Sequence, residues 1–381
     1  MADIFTTITV DWEGRELDDG NLLAMRTFNQ LFPEIPITHF ICPAYLARAA
    51  IASERATITN KINSVIKDID EVALHIHCWY SLVMAAGINA LTQPTVNPNN
   101  GPGTCVNVPG LLDCGHGVPL GCYSVPQIKQ ILLTGNQLLR TAPIKNIDLT
   151  RGLQSFRCGA WLAGDRVLNG VREVGFLYEA SAAPSLYFSQ VASVIDPNSP
   201  MYLLVAKMWS GRARRQPRPG WRANTQNAQA YPGGVQGMFP PPANMPAISD
   251  PVWMANLIQI PDTGALADYT SQATLQAYIV AAEEQAEEIG KDVFISMGWH
   301  QESAGVDSDF HQGVANIQVI MNILNANPNR LVFLTVTQAA QLWQAAQLSP
   351  PVFPREEELV RLKQPVALPH IPVTGREIIY G

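Results

Sequence analysis

The sequence predicts an α/β fold, a distorted (β/α) barrel of about seven strands with two long loop insertions. Three observations carry this. Short apolar, β-branched runs of strand length alternate with segments of helical period. Polar clusters sit at the ends of several of those runs. Two Pro/Gly/Asn-rich stretches interrupt the alternation without ending it.

Ile4 to Val10 is a β-branched run that makes a buried strand and ends in Asp11-Trp12-Glu13-Gly14. Asn21 to Phe32 carries Leu22, Leu23, Met25, Phe28 and Leu31 at helical spacing and is stopped by Pro33. Asp18-Asp19-Gly20 reads as the start of that helix. Thr38 to Cys42 is a second strand, Ile58 to Ile69 a helix, and Val72 to Leu74 a strand leading into His75-Ile76-His77. Thr92 to Cys122 holds five prolines among many Gly and Asn, a composition that breaks helices and strands alike and reads as a long loop. Helix (Pro126 to Thr141), strand (Leu153 to Phe156), helix (Asp165 to Val174) and strand (Phe176 to Ala180) follow. A second irregular stretch, Pro184 to Pro251, includes the basic group Arg212, Arg214, Arg215, Arg218 and Arg222, which reads as a solvated loop. Then come a strand (Trp253 to Ile260), a helix (Thr270 to Ile289), a strand (Val293 to Met297), a helix (Phe310 to Ala326), a strand (Leu331 to Thr335) and a short helix (Gln338 to Ala346). The expectation is one domain over residues 1–348, with insertions at about 92–122 and 184–251, and a proline-rich tail over 349–381 that wraps the domain or joins copies of the chain.

Composition narrows the function. The 381 residues are 47% hydrophobic and only 15% charged, so the chain buries a large core and is not disordered. The balance of 25 basic against 32 acidic residues, a net of −7, offers no field for nucleic acid. No apolar run is long enough to cross a bilayer, and the start Met1-Ala2-Asp3 has no secretory pattern; a cytoplasmic protein without nucleic-acid or membrane partners is expected. Six scattered cysteines (Cys42, Cys78, Cys105, Cys114, Cys122 and Cys158) are expected to be reduced thiols. A disulfide within the loop that holds Cys105, Cys114 and Cys122 is the alternative.

In an α/β barrel the chemistry lies at the carboxyl ends of the strands. Asp11 with Glu13, His75 with His77, and Trp299-His300-Gln301-Glu302 all fall there. Alternate residues of an extended segment share a face, so Asp11 and Glu13 form one same-side pair and His75 and His77 another. Two imidazoles and a carboxylate with open positions for water make a catalytic divalent-metal site, and a spare carboxylate beside it can act as base. Taken singly, each pair also has the form of a helix cap or of half-buried hydrogen-bonded side chains.

Five stretches, in order, resemble the polysaccharide deacetylase (NodB-homology) superfamily, carbohydrate esterase family four and its relatives. They are Thr9 to Gly14, Glu71 to Trp79, Ser155 to Trp161 with Val171 to Tyr178, Glu179 to Ser181, and Met297 to His300. The resemblance implies one divalent ion, zinc first and cobalt, nickel, iron or manganese as alternatives, held by Glu13, His75 and His77. It implies Asp11 as general base, Arg157 as the partner orienting it, His300 as general acid, and Trp79, Gly159 and Trp161 at the substrate. The implied reaction is hydrolysis of an acyl amide, foremost N-deacetylation of a small or oligosaccharide N-acetylated sugar. Two alternatives stand beside it: a ureide or cyclic-amide hydrolase of the allantoinase-like branch, and a barrel without metal that serves as a binding protein.

Two departures from the family pattern matter. Typical members carry two adjacent aspartates in the first motif, whereas Asp11 and Glu13 are two apart, and either could be the ligand. Typical members space the metal histidines four apart, whereas Trp79 stands four beyond His75 and Ser81 four beyond His77. The two insertions are expected to rim the site, where their aromatic residues (Tyr123, Tyr187, Trp209, Trp221, Tyr231 and Phe239) either stack on sugar rings or pack against the domain.

Overall fold

Ile4–Trp12 (β1) is buried along its whole length, and a strand covered on both faces belongs inside a parallel sheet. The computed structural model describes residues 3–49, 51–93, 95, 105–108, 111–182, 252–254, 257–262, 266–290, 292–307, 311 and 313–348. Within them β1 is followed by α1 (Asp19–Leu31), β2 (Ile37–Ile41), α2 (Ala44–Arg48), α3 (Ala52–Asn63), β3 (Glu71–Ile76), α4 (Tyr80–Ala85), β4 (Val106–Val108) and β5 (Leu111–Asp113). The order continues with α5 (Val125–Thr141), β6 (Ser155–Cys158), α6 (Asp165–Val174), β7 (Tyr178–Ala182), β8 (Val252–Met254) and β9 (Leu257–Pro261). It ends with α7 (Gln272–Ile289), β10 (Val293–His300), α8 (Asn316–Ala326), β11 (Leu331–Leu334) and α9 (Val336–Leu348).

The main sheet runs β10-β1-β2-β3-β6-β7-β9-β8 and is parallel except for β8, which pairs antiparallel with β9. β11 lies beside β1 as well: residues 4–7 of β1 pair with β11, and residues 8–12 pair with β2. The last strand is thus wedged against the base of the first. Beyond β9, Leu266 forms a parallel bridge to Gly298 of β10. The sheet therefore curls round as a distorted (β/α) barrel with helices outside, as expected.

The helices form where apolar residues recur on one face and a cap satisfies the first turn. Asp18 caps α1 by accepting from Asn21 N at 3.0 Å, the helix-start role read for Asp18-Asp19-Gly20. Leu22, Met25 and Phe28 are its buried stripe. On α5 the stripe is Ile128, Ile131, Leu132 and Leu139, and on α6 it is Val167, Leu168 and Val171. α6 stops at Gly175, whose φ of 98° is left-handed and suits glycine.

Gly298 is required by close approach: a Cβ there would lie 1.8 Å from Thr9 O, inside the β1–β10 pair. Gly298→Ala is therefore expected to lower the thermal midpoint and cost at least the roughly 1–3 kcal/mol of overpacking. A melting curve superimposable on the wild type would refute this packing.

Four expectations are corrected. The helix read at Ile58 to Ile69 lies earlier, at Ala52–Asn63, because Glu54 reaches back to Ile51 N at 3.3 Å and starts it there. The single strand read at Trp253 to Ile260 is the hairpin β8–β9. The stretch read as irregular from Thr92 to Cys122 contains the antiparallel pair β4–β5. That pairing sets Cys105 beside Cys114, and the two form a disulfide, whereas Cys42, Cys78, Cys122 and Cys158 are not disulfide-bonded. The insertion 184–251, with its basic group and its aromatic residues, lies outside the described residues, as does the tail 349–381.

The chain divides into a unit Met1–Gln341, which holds the sheet, and a unit Leu342–Gly381. Among the described residues no helix is long and apolar enough to cross a membrane.

Candidate metal centre

Strand register assembles the site. The β1–β10 pairing sets Asp11 opposite His300, and the β3–β6 pairing sets His75 opposite Arg157. All four side chains thus stand at the carboxyl ends of strands in one parallel sheet. Two residues beyond Asp11, Glu13 enters the same space, where its carboxylate is the hub of the cluster.

His75 Nε2 lies 3.2 Å from Glu13 Oε1, and His77 Nε2 lies 2.8 Å from Glu13 Oε2. His300 Nε2 is 3.5 Å from Oε1, and His116 Nε2 contacts Oε2. Burial alone would raise the Glu13 carboxyl, but the charges of His77 and His116 outweigh it and hold the group well below the carboxylate range. His116 is pushed down to about 4 by burial and by its neighbour His77.

The second ring nitrogens of His75, in β3, and His77, just beyond it, are tied to backbone. His75 Nδ1 is 3.0 Å from the carbonyl of Arg157, and His77 Nδ1 is 2.9 Å from that of His116. A carbonyl only accepts, so each Nδ1 carries the proton and Nε2 is turned toward Glu13, the arrangement of metal-ligating histidines. His77 Nε2 is buried and makes no hydrogen bond of good geometry. Glu13, His75 and His77 present their ligand atoms within 4.8 Å of one another, as do Asp11, Glu13 and His300. Two neutral imidazoles and a carboxylate are a zinc-type donor set, so these residues fit a divalent ion. Burial works against a charged His77, yet Glu13 keeps its pKa raised, so a cation at this position would have to compete with a proton.

On one flank of this cluster Arg157, almost fully buried, donates from Nη1 to Asp11 Oδ1 at 2.7 Å and to Thr9 Oγ1 at 3.0 Å. Its Nη2 lies 3.4 Å from Asp262 Oδ2. Asp262 is itself braced by Trp161 Nε1 at 2.8 Å and Ser296 Oγ at 2.9 Å. Burial, with Asp11 nearby, raises the Asp262 carboxyl despite Arg157.

On the other flank His300 Nδ1 lies 3.3 Å from Asp268 Oδ2, and the same carboxylate accepts His300 N at 3.0 Å. Burial pulls the His300 imidazole down, but Asp268, Glu13 and Asp11 outweigh it and push it up to about 10. Glu302, two residues beyond His300, accepts a 2.5 Å bond from Tyr45 Oη and is raised to about 7 by burial and by Glu13.

Asp11, Glu13, His75, His77, Arg157 and His300 therefore come together. Trp79 stands beneath them, fully buried, donating from Nε1 to Glu13 O at 2.7 Å. Gly159 presses on His77: a Cβ there would lie 2.7 Å from its Cε1. Ala160 and Trp161 follow with φ of 51° and 54°, a strained turn of the kind that marks functional sites. A cleft lined by His77, His116, Gly159 and Ala160 opens beside the cluster.

Three participants escaped the sequence reading. His116 sits in the stretch read as plain loop; its signal was a histidine between two glycines, three residues past Asp113. Asp262 directly follows β9, where the strand-end rule would have found it. Asp268 follows no strand and had no signal.

No protein-family model matches the sequence, and neither does any curated protein. Among solved structures the chain is similar to a candidate polysaccharide deacetylase from Mycobacterium smegmatis, at 12% identity and a TM-score of 0.46, covering 93% of this chain and 94% of that one. It is also similar to the α-amylase AmyC from Thermotoga maritima, at 9% identity and a TM-score of 0.38, covering 89% and 74%.

Proposed function

We propose that this protein is a metal-dependent hydrolase that removes an acyl group from an amide nitrogen, with an N-acetylated sugar as the foremost substrate. One observation carries the reading: the Nε2 atoms of His75 and His77 converge on Glu13, between an Asp11–Arg157 pair and an Asp268–His300 pair. A divalent ion held by Glu13, His75 and His77, zinc first, would polarise the acyl oxygen and make water acidic at neutral pH.

The protein groups divide the proton work. Asp11, oriented by Arg157, takes a proton from the attacking water as its oxygen bonds to the acyl carbon. His300, protonated and aimed by Asp268, gives its proton to the departing nitrogen as the C–N bond breaks. The products are a carboxylic acid and an amine. Asp262, through Arg157, keeps the base in place and touches no reacting atom. The strained Ala160-Trp161 turn lies on the cleft side, where its backbone would steady the acyl oxygen.

The test is a screen of the purified protein against N-acetyl sugars and against ureides, with products read by mass and each assay repeated after chelation. Chelator-sensitive release of acetate supports the reading. Chelator-sensitive ring opening of a ureide would keep the metal and change the substrate class. Turnover that survives complete metal removal would sink the metal-dependent mechanism.

A further inference from the structure

We propose that His116 is a metal ligand, completing with Glu13, His75 and His77 a cation site of three imidazoles and one carboxylate. The inference rests on the metal-dependent reading above and deepens it. The β3 strand end supplies only the closely spaced pair His75 and His77, and the positions four residues on hold Trp79 and Ser81. His116, far along the chain, is delivered into the place where a further donor is wanted.

The delivery is built, residue by residue. Asp113, fully buried, accepts from Ser81 N at 2.9 Å and Ser81 Oγ at 2.7 Å, and Arg48 Nε lies 3.1 Å from it. Cys114 is tied to Cys105 by the disulfide, and its carbonyl accepts Tyr80 N at 2.6 Å. Gly115, at φ +97°, lies so close to Cys78 that a Cβ would stand 2.4 Å from that residue's carbonyl oxygen. The carbonyl of His116 itself receives His77 Nδ1 at 2.9 Å. Four consecutive residues are therefore anchored to the segment from His77 to Ser81, and the His116 ring is placed by all of them.

The placement gathers imidazole nitrogens at one carboxylate oxygen. The rings of His77 and His116 stack at 3.8 Å with only 7° between their planes, and the Nε2 atoms of both lie against Glu13 Oε2. His77 Nε2 is one of the buried side-chain atoms among the described residues that make no hydrogen bond. A divalent ion beside Glu13 would give it a partner, with the two rings turned out of the stack so that each holds the ion in its own plane.

The experiment compares zinc affinity of the full-length protein, by chelator competition, with that of His116→Ala and His116→Gln. Both variants are checked for an unchanged metal-free melting curve. The expected result is affinity weakened by about 100-fold or more, at least the upper end of what losing an outer-shell partner costs. Unchanged zinc affinity in both variants, with tight wild-type binding, would overturn the His116 assignment alone. A wild type that binds no divalent ion would overturn the metal-dependent reading with it. Should both variants fail to fold, the cobalt(II)-loaded wild type and His300→Ala decide by proton NMR: three hyperfine-shifted imidazole N–H signals that persist in His300→Ala support the assignment, and two in that variant overturn it.

Discussion

Glu13→Ala is expected to abolish tight divalent-metal binding and turnover together, the largest effect of any single change at the site. Glu13 meets four histidine side chains, His75, His77, His116 and His300, through its two oxygens. Removing it leaves imidazoles facing one another with no anion between them. Asp11→Asn is expected to behave differently: Asp11 faces Arg157 at 2.7 Å, so its loss leaves the Glu13–His75–His77 donor set intact and removes the proton acceptor. Elemental analysis of both variants, purified in parallel with the wild type, separates the two. About one divalent ion per chain in the wild type and in Asp11→Asn, and none in Glu13→Ala, is the predicted pattern. The reverse pattern would exchange the roles of the two carboxylates.

His300→Ala should retain metal and lose the roughly 10²- to 10⁴-fold in turnover typical of a missing acid or base. The pH profile says more. A general acid works only while protonated, so activity should decline as pH rises through the His300 pKa, which Asp268 and the other carboxylates push up to about 10 against the pull of burial. Asp268→Asn removes the leading contribution to that rise, so the imidazole loses its proton at lower pH. The alkaline limb of turnover against pH should therefore move toward neutrality in Asp268→Asn and vanish in His300→Ala. A limb that stays in place in Asp268→Asn would remove Asp268 from the acid's control, and loss of metal from His300→Ala would make that residue a ligand.

The parts of this site that were legible in the sequence lie on strand ends. Asp11, Glu13, His75, His77 and His300 each follow an apolar run, and the period-2 rule says which of them share a face. Arg157 was legible only through its motif. What escaped was set by tertiary structure. His116 depends on a disulfide and a buried Asp113 that position a glycine-flanked turn, and neither tie leaves a periodic trace. Asp268 reaches His300 because residues 266–267 pair alongside β10, a contact that local pattern cannot reveal. The fold misreadings have similar causes. Trp253 to Ile260 is continuous enough in apolar character to hide a reversal, and in α3 the exposed first turn lies outside the apolar stripe that marked the helix.

The wedge of β11 against the base of β1 has a bearing on how the protein is made. Residues 4–7 of β1 wait for partners at 331–334, and Asp11 waits for His300. These pairings join residues 4–11 to residues 293–334, and contacts so distant along the chain form late because closing the long loop between them costs entropy first. A nascent chain emerging from the ribosome can dock β2, β3 and β6 on one side of β1 while its other flank still lacks β10. Asp11 and His300 are thus kept apart until nearly the whole domain has been synthesised, so under the proposed mechanism the growing polypeptide would lack its paired base and acid for most of its birth.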